Sequence, residues 1–312
     1  MLPMTDLTTR IGSLKFKNPV TVASGTFGVK EEYARYVDYR KLGAVITKTI
    51  TLRPRPGNPM PRICETPAGM LNAIGLQNKG LEDFVQNKIP YFKKRRIPLI
   101  VNIAGESTEE FSRMTRELNR YRKSIAALEL NLSCPNIEKG GVRAIREGKL
   151  ITKTICAVRK ETRLFLFAKL SPELGDVVET AKEAVAAGAD GLSLINTIRG
   201  MAIDIGSRRP RIAVGTGGLS GPAIRPIALR YVYEVKKALP KIPIIASGGI
   251  TTWEDAVEFL IVGADLLAVG TANFVNPRAT LDLLKGIQAY CQKKKIKSLK
   301  ELRGSLVPYR RA

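Results

Sequence analysis

Short apolar runs recur along the chain and alternate with longer stretches whose apolar positions fall at helical spacing. The runs Val20–Ala23, Ala44–Thr47, Leu99–Ile103, Ala127–Leu130, Leu164–Ala168, Gly191–Ile195, Pro243–Ala246 and Leu266–Val269 read as strands. Each is apolar almost throughout, which predicts burial on both faces, as in a parallel sheet. Between them, Thr108–Tyr121, Asp176–Ala187, Ile224–Ala238 and Thr252–Val262 read as helices. The last opens with Thr252 at a cap position and with Glu254 and Asp255 in the first turn, a helix-start signal.

This order of β-then-helix units favours a closed (β/α)8 TIM barrel, class α/β, over an open sheet. The 312 residues fit a barrel of about 250 residues with insertions. No low-complexity linker divides the chain, so residues 1–312 are expected to form a single domain. The stretches Leu52–Lys79 and Thr197–Pro222 are too long for tight turns and are rich in Gly, Pro and Asn. Both follow strands, on the face where barrel enzymes place their chemistry.

The residues just after the strands carry the functional argument. In order they are Ser24, Lys48, Asn102, Asn131, Lys169, Asn196, the Gly248–Gly249 step and the Gly270–Thr271 step. A barrel gathers these positions at one mouth. Two lysines closing apolar strands are hard to explain as turn residues, because burying a lone ammonium is costly. The glycine steps after the seventh and eighth strands, with Gly221 in TGGLSG, offer bare backbone N–H groups to a phosphate. The set suits a flat, polar, phosphorylated ligand.

Two motifs add chemistry. In Asn131-Leu-Ser-Cys134-Pro-Asn136, Cys134 lies just past the fourth strand among amides, where a thiol of lowered pKa can serve as base or nucleophile. In Asn72-Ala73-Ile74-Gly75-Leu76-Gln77-Asn78, amides and a glycine can meet the edge of a planar ligand. Cys156 and Cys291 fall in helical patterns and read as structural; Cys64 lies in a long loop.

Composition narrows the chemistry further. The chain has no His, so an acid–base step must use Cys, Lys, Tyr or a carboxylate. The four cysteines form no C-x-x-C pair, so no metal site or iron–sulfur cluster of the chain's own is expected. A net charge of +23 raises the question of polyanions. The basic runs Lys93–Arg96, Arg208–Arg211, Lys293–Lys295 and Arg310–Arg311 are short, scattered and free of interleaved aromatics, so they read as solvated surface and nucleic acid is not expected as a partner. Neither an apolar leader nor a run of 18 apolar residues occurs, and the expected setting is the cytoplasm, away from membranes.

Together, SGTFG at Ser24–Gly28, TKT at Thr47–Thr49, NAIGLQN, NLSCPN, INT at Ile195–Thr197, GGLSGPAIRPIALR and SGGI resemble class 1 dihydroorotate dehydrogenases. The resemblance runs from about Leu7 to the last strand and helix. It implies an FMN enzyme that oxidises dihydroorotate to orotate in pyrimidine biosynthesis. By motif, Cys134 and Lys48 would be catalytic, Cys134 as the base for the C5 proton while hydride leaves C6. Substrate would be held by Lys48, Asn72, Ala73, Ile74, Gly75, Leu76, Asn131, Asn196 and Thr197. FMN would be held by Ser24, Lys48, Thr49, Asn102, Asn131, Lys169, Ile195, Gly221, Gly248, Gly249, Gly270 and Thr271. The stretch Asn131–Gly148 is a candidate lid.

The opening DLTTRIGSLKFKNPVTVASGTFG is most similar to the NAD-linked type B. That likeness implies a homodimeric core joined in a heterotetramer to an electron-transfer subunit carrying FAD and [2Fe–2S]. The fumarate-linked homodimeric type shares these site motifs. Other readings are a flavoenzyme similar to tRNA dihydrouridine synthases, which the lack of an added RNA-binding domain disfavours, a dihydropyrimidine dehydrogenase-like enzyme, and a non-catalytic polyanion binder. The absence of His and the +23 charge depart from the family's pattern.

Overall fold

The computed structural model describes residues 5–28, 32–132, 148–173 and 175–309. The expected strands form one eight-stranded sheet of parallel neighbours: β1 (Val20–Val22), β2 (Val45–Ile46), β3 (Leu99–Ile103), β4 (Ala127–Asn131), β5 (Phe165–Lys169), β6 (Gly191–Leu194), β7 (Ile244–Ser247) and β8 (Leu266–Val269). The order around the sheet is β1-β8-β7-β6-β5-β4-β3-β2. Between β1 and β2, Gly43 N donates to Val20 O at 2.8 Å and Thr21 Oγ1 donates to Ala44 O at 2.9 Å, which draws the two ends together into a barrel. A Cβ at Gly43 would lie 2.2 Å from Asn18 O, so this close approach requires glycine.

Helices cover the outside: α1 (Thr108–Asn119), α2 (Gly148–Glu161), α3 (Val177–Ala186), α4 (Arg225–Ala238), α5 (Trp253–Ile261) and α6 (Ala279–Lys293). Their starts follow from local chemistry. The Ser107 side chain accepts from Glu110 N, Asp176 accepts from Val178 N and Glu179 N, and Thr252 and Asp255 form a reciprocal capping box. No helix among the described residues is long and apolar enough to cross a membrane.

Two apolar layers result. One packs the helices onto the outer faces of the strands, with Val101, Leu128, Leu166, Leu192 and Leu267 buried among helix residues such as Met114, Ile155 and Phe259. The other fills the lower barrel with Ile100, Ala127, Phe167, Ile245 and Leu266. Gly191 makes room for the Phe167 ring, since a Cβ there would lie 2.7 Å from it. An antiparallel hairpin, Thr9–Ile11 with Leu14–Phe16, adds Ile11 and Phe16 to this inner cluster beside Phe165, as a floor.

At the opposite end the two long loops form structure that local patterning did not reveal. Parts of each join in a four-stranded antiparallel sheet of order Ile198–Met201, Thr216–Ser220, Gly69–Asn72, Ile63–Thr66. A further two-residue ribbon pairs Ile203–Asp204 with Arg209–Pro210.

Candidate active site

Inside the barrel the wall changes from apolar to polar toward the C-terminal ends of the strands. Alternation along β3, β4 and β5 sends Ile100 and Asn102, Ala127, Glu129 and Asn131, and Phe167 and Lys169 to the same face. Asn131 is the register partner of Lys169, and Lys169 in turn of Ser193 on β6. Asn131 and Lys169 therefore end their strands rather than follow them, each strand reaching one residue further than the sequence suggested, while Asn102 lies inside β3, one residue before its end. All three are buried; Asn102 is 0 % and Lys169 8 % exposed.

One chain of hydrogen bonds joins five expected site residues from the ends of β1, β2, β4 and β6. Ser24 Oγ lies 3.2 Å from Thr49 Oγ1. Asn131 Nδ2 donates to Thr49 Oγ1 at 3.3 Å. Asn196 Nδ2 donates to Asn131 Oδ1 at 3.3 Å, and Asn196 Oδ1 accepts from Thr197 N at 2.9 Å. Amide orientations at this mouth are thus set by one another, which leaves a preorganised polar surface.

The top sheet brings the second motif to Thr197. Asn72 is the register partner of Gly218, and Asn72 Nδ2 donates to Gly218 O at 3.2 Å. A Cβ on Gly218 would lie 2.0 Å from Thr197 Oγ1, so that glycine lets Thr197 pack against the same strand. Ala73 is buried; Asn58 braces the loop, with N donating to Ile74 O at 3.1 Å and Nδ2 to Ala73 O at 3.1 Å. Gly75 and Leu76 both take positive φ, 73° and 55°. The strained Leu76 conformation is held by Asn78, whose Nδ2 donates to Leu76 O and to Thr51 Oγ1, each at 2.7 Å.

The glycine steps stand close by. Gly248 and Gly249 have φ of 125° and 75°, and Cβ atoms there would lie 2.8 Å from Ala228 Cβ and 2.6 Å from Arg225 Cβ. The turn after β7 thus lies directly against the start of α4. Thr271, after Gly270 at the end of β8, donates from Oγ1 to Ser220 Oγ at 2.8 Å, beside Gly221. Ile195 is buried and its N donates to Ser247 O at 2.9 Å.

The two expected cations, Lys48 and Lys169, sit at this end. Lys48 is half-buried, two residues past β2. Burial lowers its pKa, the nearby Arg62 guanidinium lowers it further, and Glu32 partly offsets both. Neither Lys48 nor Lys169 forms an ion pair with a carboxylate among the described residues. Cys134 and most of the candidate lid, residues 133–147, lie outside the described residues. Of the other thiols, Cys291 is buried in α6 with its pKa pushed up by burial, Cys156 is exposed on α2 and Cys64 is half-buried in the top sheet.

Sequence reasoning missed Glu129. It is 2 % exposed, accepts from Asn102 Nδ2 at Oε1 and from Ser193 Oγ at Oε2, and stands beneath Asn131. A lone acid in the apolar run ALELN, in phase with Asn131, is the signal that could have found it.

The chain resembles proteins of known name over most of its length. A family model described as dihydroorotate dehydrogenase matches residues 6–290. The chain is 50 % identical over 296 residues to the dihydroorotate dehydrogenase B (NAD(+)) catalytic subunit of Alkaliphilus metalliredigens, covering 95 % of this chain and 97 % of that one. It is 47 % identical over 302 residues to the subunit of the same name from Geotalea uraniireducens, covering 97 % and 98 %. A crystal structure of the dihydroorotate dehydrogenase of Eimeria tenella in complex with ferulenol matches with a TM-score of 0.81 at 25 % identity, over 97 % of this chain and 91 % of that one.

Proposed function

The chain belongs to the dihydroorotate dehydrogenase family, and from that premise we propose that its barrel mouth oxidises dihydroorotate to orotate on a bound FMN, within one domain of residues 1–312. The observation that carries the reading is the hydrogen-bonded row Ser24, Thr49, Asn131, Asn196 and Thr197, with Lys48 and Lys169 at the same end of the barrel.

The residues present fit FMN. A buried ammonium at Lys169, without an acidic partner among the described residues, calls for an anionic or electron-rich ligand. Asn102 Oδ1 is buried and accepts no hydrogen bond from the described residues, so an acceptor is on offer. The left-handed Gly248–Gly249 turn and the Gly221 and Gly270 backbones suit a phosphate. Ser24, Lys48, Thr49, Asn102, Asn131, Lys169, Ile195 and Thr271 complete the proposed FMN set.

FMN, when bound, supplies the acceptor for the hydride that leaves C6 of dihydroorotate. The chain's own groups do the rest. Asn72, Asn131 and Asn196 carry the donors and acceptors that match a pyrimidine edge, with Ala73, Ile74, Gly75, Leu76 and Thr197 shaping the pocket. Lys48 places a positive charge where partial burial strengthens its attraction for an anion. Cys134 takes the C5 proton as C6 gives up hydride, and the C5–C6 single bond becomes double. The lack of His leaves a thiol as the side chain suited to that step near neutral pH.

The likeness to type B catalytic subunits supports a further reading, that electrons pass on to NAD+ through a second subunit carrying FAD and [2Fe–2S], in a heterotetramer around a homodimer in the cytoplasm. Exposed apolar side chains on the top sheet and its ribbon, Met201, Ile203 and Ile205, suit a subunit interface. The test is turnover of dihydroorotate by the purified chain with NAD+, fumarate and an artificial acceptor side by side. The artificial acceptor should support turnover, and NAD+ only after the partner is added. Fumarate turnover by the chain alone would overturn the type B route, and no turnover with any acceptor would overturn the reaction itself.

A further inference from the structure

Glu129 is a buried acid that the proposed reaction leaves without a task. Its place in β4 is singular, since Ala127, Leu128 and Leu130 around it are apolar and fully buried. A carboxylate in a barrel interior is expensive unless its oxygens are taken. Here both are: Oε1 accepts from Asn102 Nδ2 and Oε2 accepts from Ser193 Oγ at 2.5 Å. Asn102 is pinned from its backbone as well, with N donating to Thr47 Oγ1 at 3.0 Å.

The consequence lies at the other end of the Asn102 amide. A carboxylate only accepts, so it draws the NH2 end of Asn102 toward itself and turns the carbonyl end away. That carbonyl oxygen, Oδ1, is buried and takes no hydrogen bond from the described residues. Leaving a buried acceptor unmet is costly. A packing role for Glu129 would need only the NH2 end; it would not account for an acceptor buried unmet in the layer beneath Asn131.

We propose that Glu129 is a positioning residue that fixes the Asn102 amide with Oδ1 toward the ligand, so that the site selects a ligand N–H at this place. The proposal rests on the reading of the mouth as a flavin site. An oxidised isoalloxazine carries one N–H, at N3, and that is the donor Asn102 Oδ1 would select.

The test compares binding of FMN with binding of 3-deaza-FMN, which carries C–H in place of N3–H, to the flavin-stripped protein by fluorescence titration. The wild type should prefer FMN by about tenfold or more, the size of one unmet buried acceptor. Glu129→Met removes the acceptor that orients Asn102, and the preference should fall to within about threefold. The double variant Glu129→Gln with Asn102→Asp keeps the charge and reverses the donor and acceptor. The carboxylate on β3 then shows an acceptor to the ligand whichever way it turns, and the tenfold preference should return. Equal binding of the two flavins by wild type, full preference in Glu129→Met, or no recovery in the double variant would each overturn the proposal. Failure of the wild type to bind either flavin would instead overturn the cofactor reading itself.

Discussion

Asn131 and Lys169 are register partners at the last step of two neighbouring parallel strands, so an amide and an ammonium emerge side by side inside the barrel. The pairing follows from strand alternation. Apolar Ala127 and Phe167 fill the lower barrel in the same phase, and the same face turns polar at the end of each strand. Core and site are successive layers of one inner wall.

The Lys169 ammonium gives the first prediction. With no carboxylate partner among the described residues, its desolvation is offset only when an anionic or electron-rich ligand is bound. Lys169→Ala should bind FMN about 10- to 100-fold more weakly, the range for a hydrogen bond to a charged group. Flavin per chain after extensive dialysis reads the effect. A stoichiometric flavin content in the variant would contradict the assignment.

Lys48 gives a prediction about pH. Burial, and secondly Arg62, hold its folded-state pKa below the ordinary lysine value of 10.5. Between that lowered value and 10.5 the unfolded chain binds more protons than the folded one. This group's contribution to stability therefore rises with pH through that window and is unfavourable below it. Ligand binding has the opposite sign: affinity for the orotate anion should decline as pH rises through the lowered pKa, earlier than an ordinary lysine would allow. Lys48→Met should melt at a higher temperature than wild type near neutral pH while binding orotate at least about tenfold more weakly. A lower melting temperature with unchanged orotate affinity would contradict both statements.

Stability and site can be separated at the other end of the barrel. Asp265, just before β8, accepts from Lys236 Nζ at 3.0 Å, Arg303 Nη1 at 2.7 Å and Ile244 N at 2.9 Å. Removing one member of such a buried network leaves uncompensated charges and costs about 3–5 kcal/mol. Asp265→Ala should lose that much in denaturant unfolding, while the folded fraction keeps normal flavin affinity. A matching loss of flavin affinity would mean that the two ends are coupled.

The barrel was legible because its strands are buried on both faces. Leu99–Ile103 and Leu266–Val269 match the structure at both bounds, and Thr252 caps α5 as its sequence suggests. The gathering of Ser24, Asn131 and Asn196 at one mouth was legible as a row of strand ends, because polar residues closing apolar runs have few structural reasons to be there. The top sheet was not legible. It pairs segments such as Asn72 and Gly218, 146 residues apart, and no local periodicity encodes a partner so distant. Glu129 was passed over because a single acid within a strand shows its meaning only when Asn102 and Ser193 are seen to meet it.

For Cys134 the expectation comes from its motif and from the lack of His. Cys134→Ser should fold and retain flavin but lose about 10²–10⁴-fold in rate near neutral pH, because an alcohol is a poor base there. Steady-state turnover with an artificial acceptor, normalised to bound flavin, reads the loss. Turnover within a few-fold of wild type would remove Cys134 from the mechanism.

The most direct measurement is the visible absorbance of the purified protein on anaerobic addition of dihydroorotate. A flavin held at this barrel mouth should give a yellow protein whose absorbance bleaches stoichiometrically as orotate forms. A colourless protein, or a flavin band that stays oxidised in excess dihydroorotate, would contradict the account.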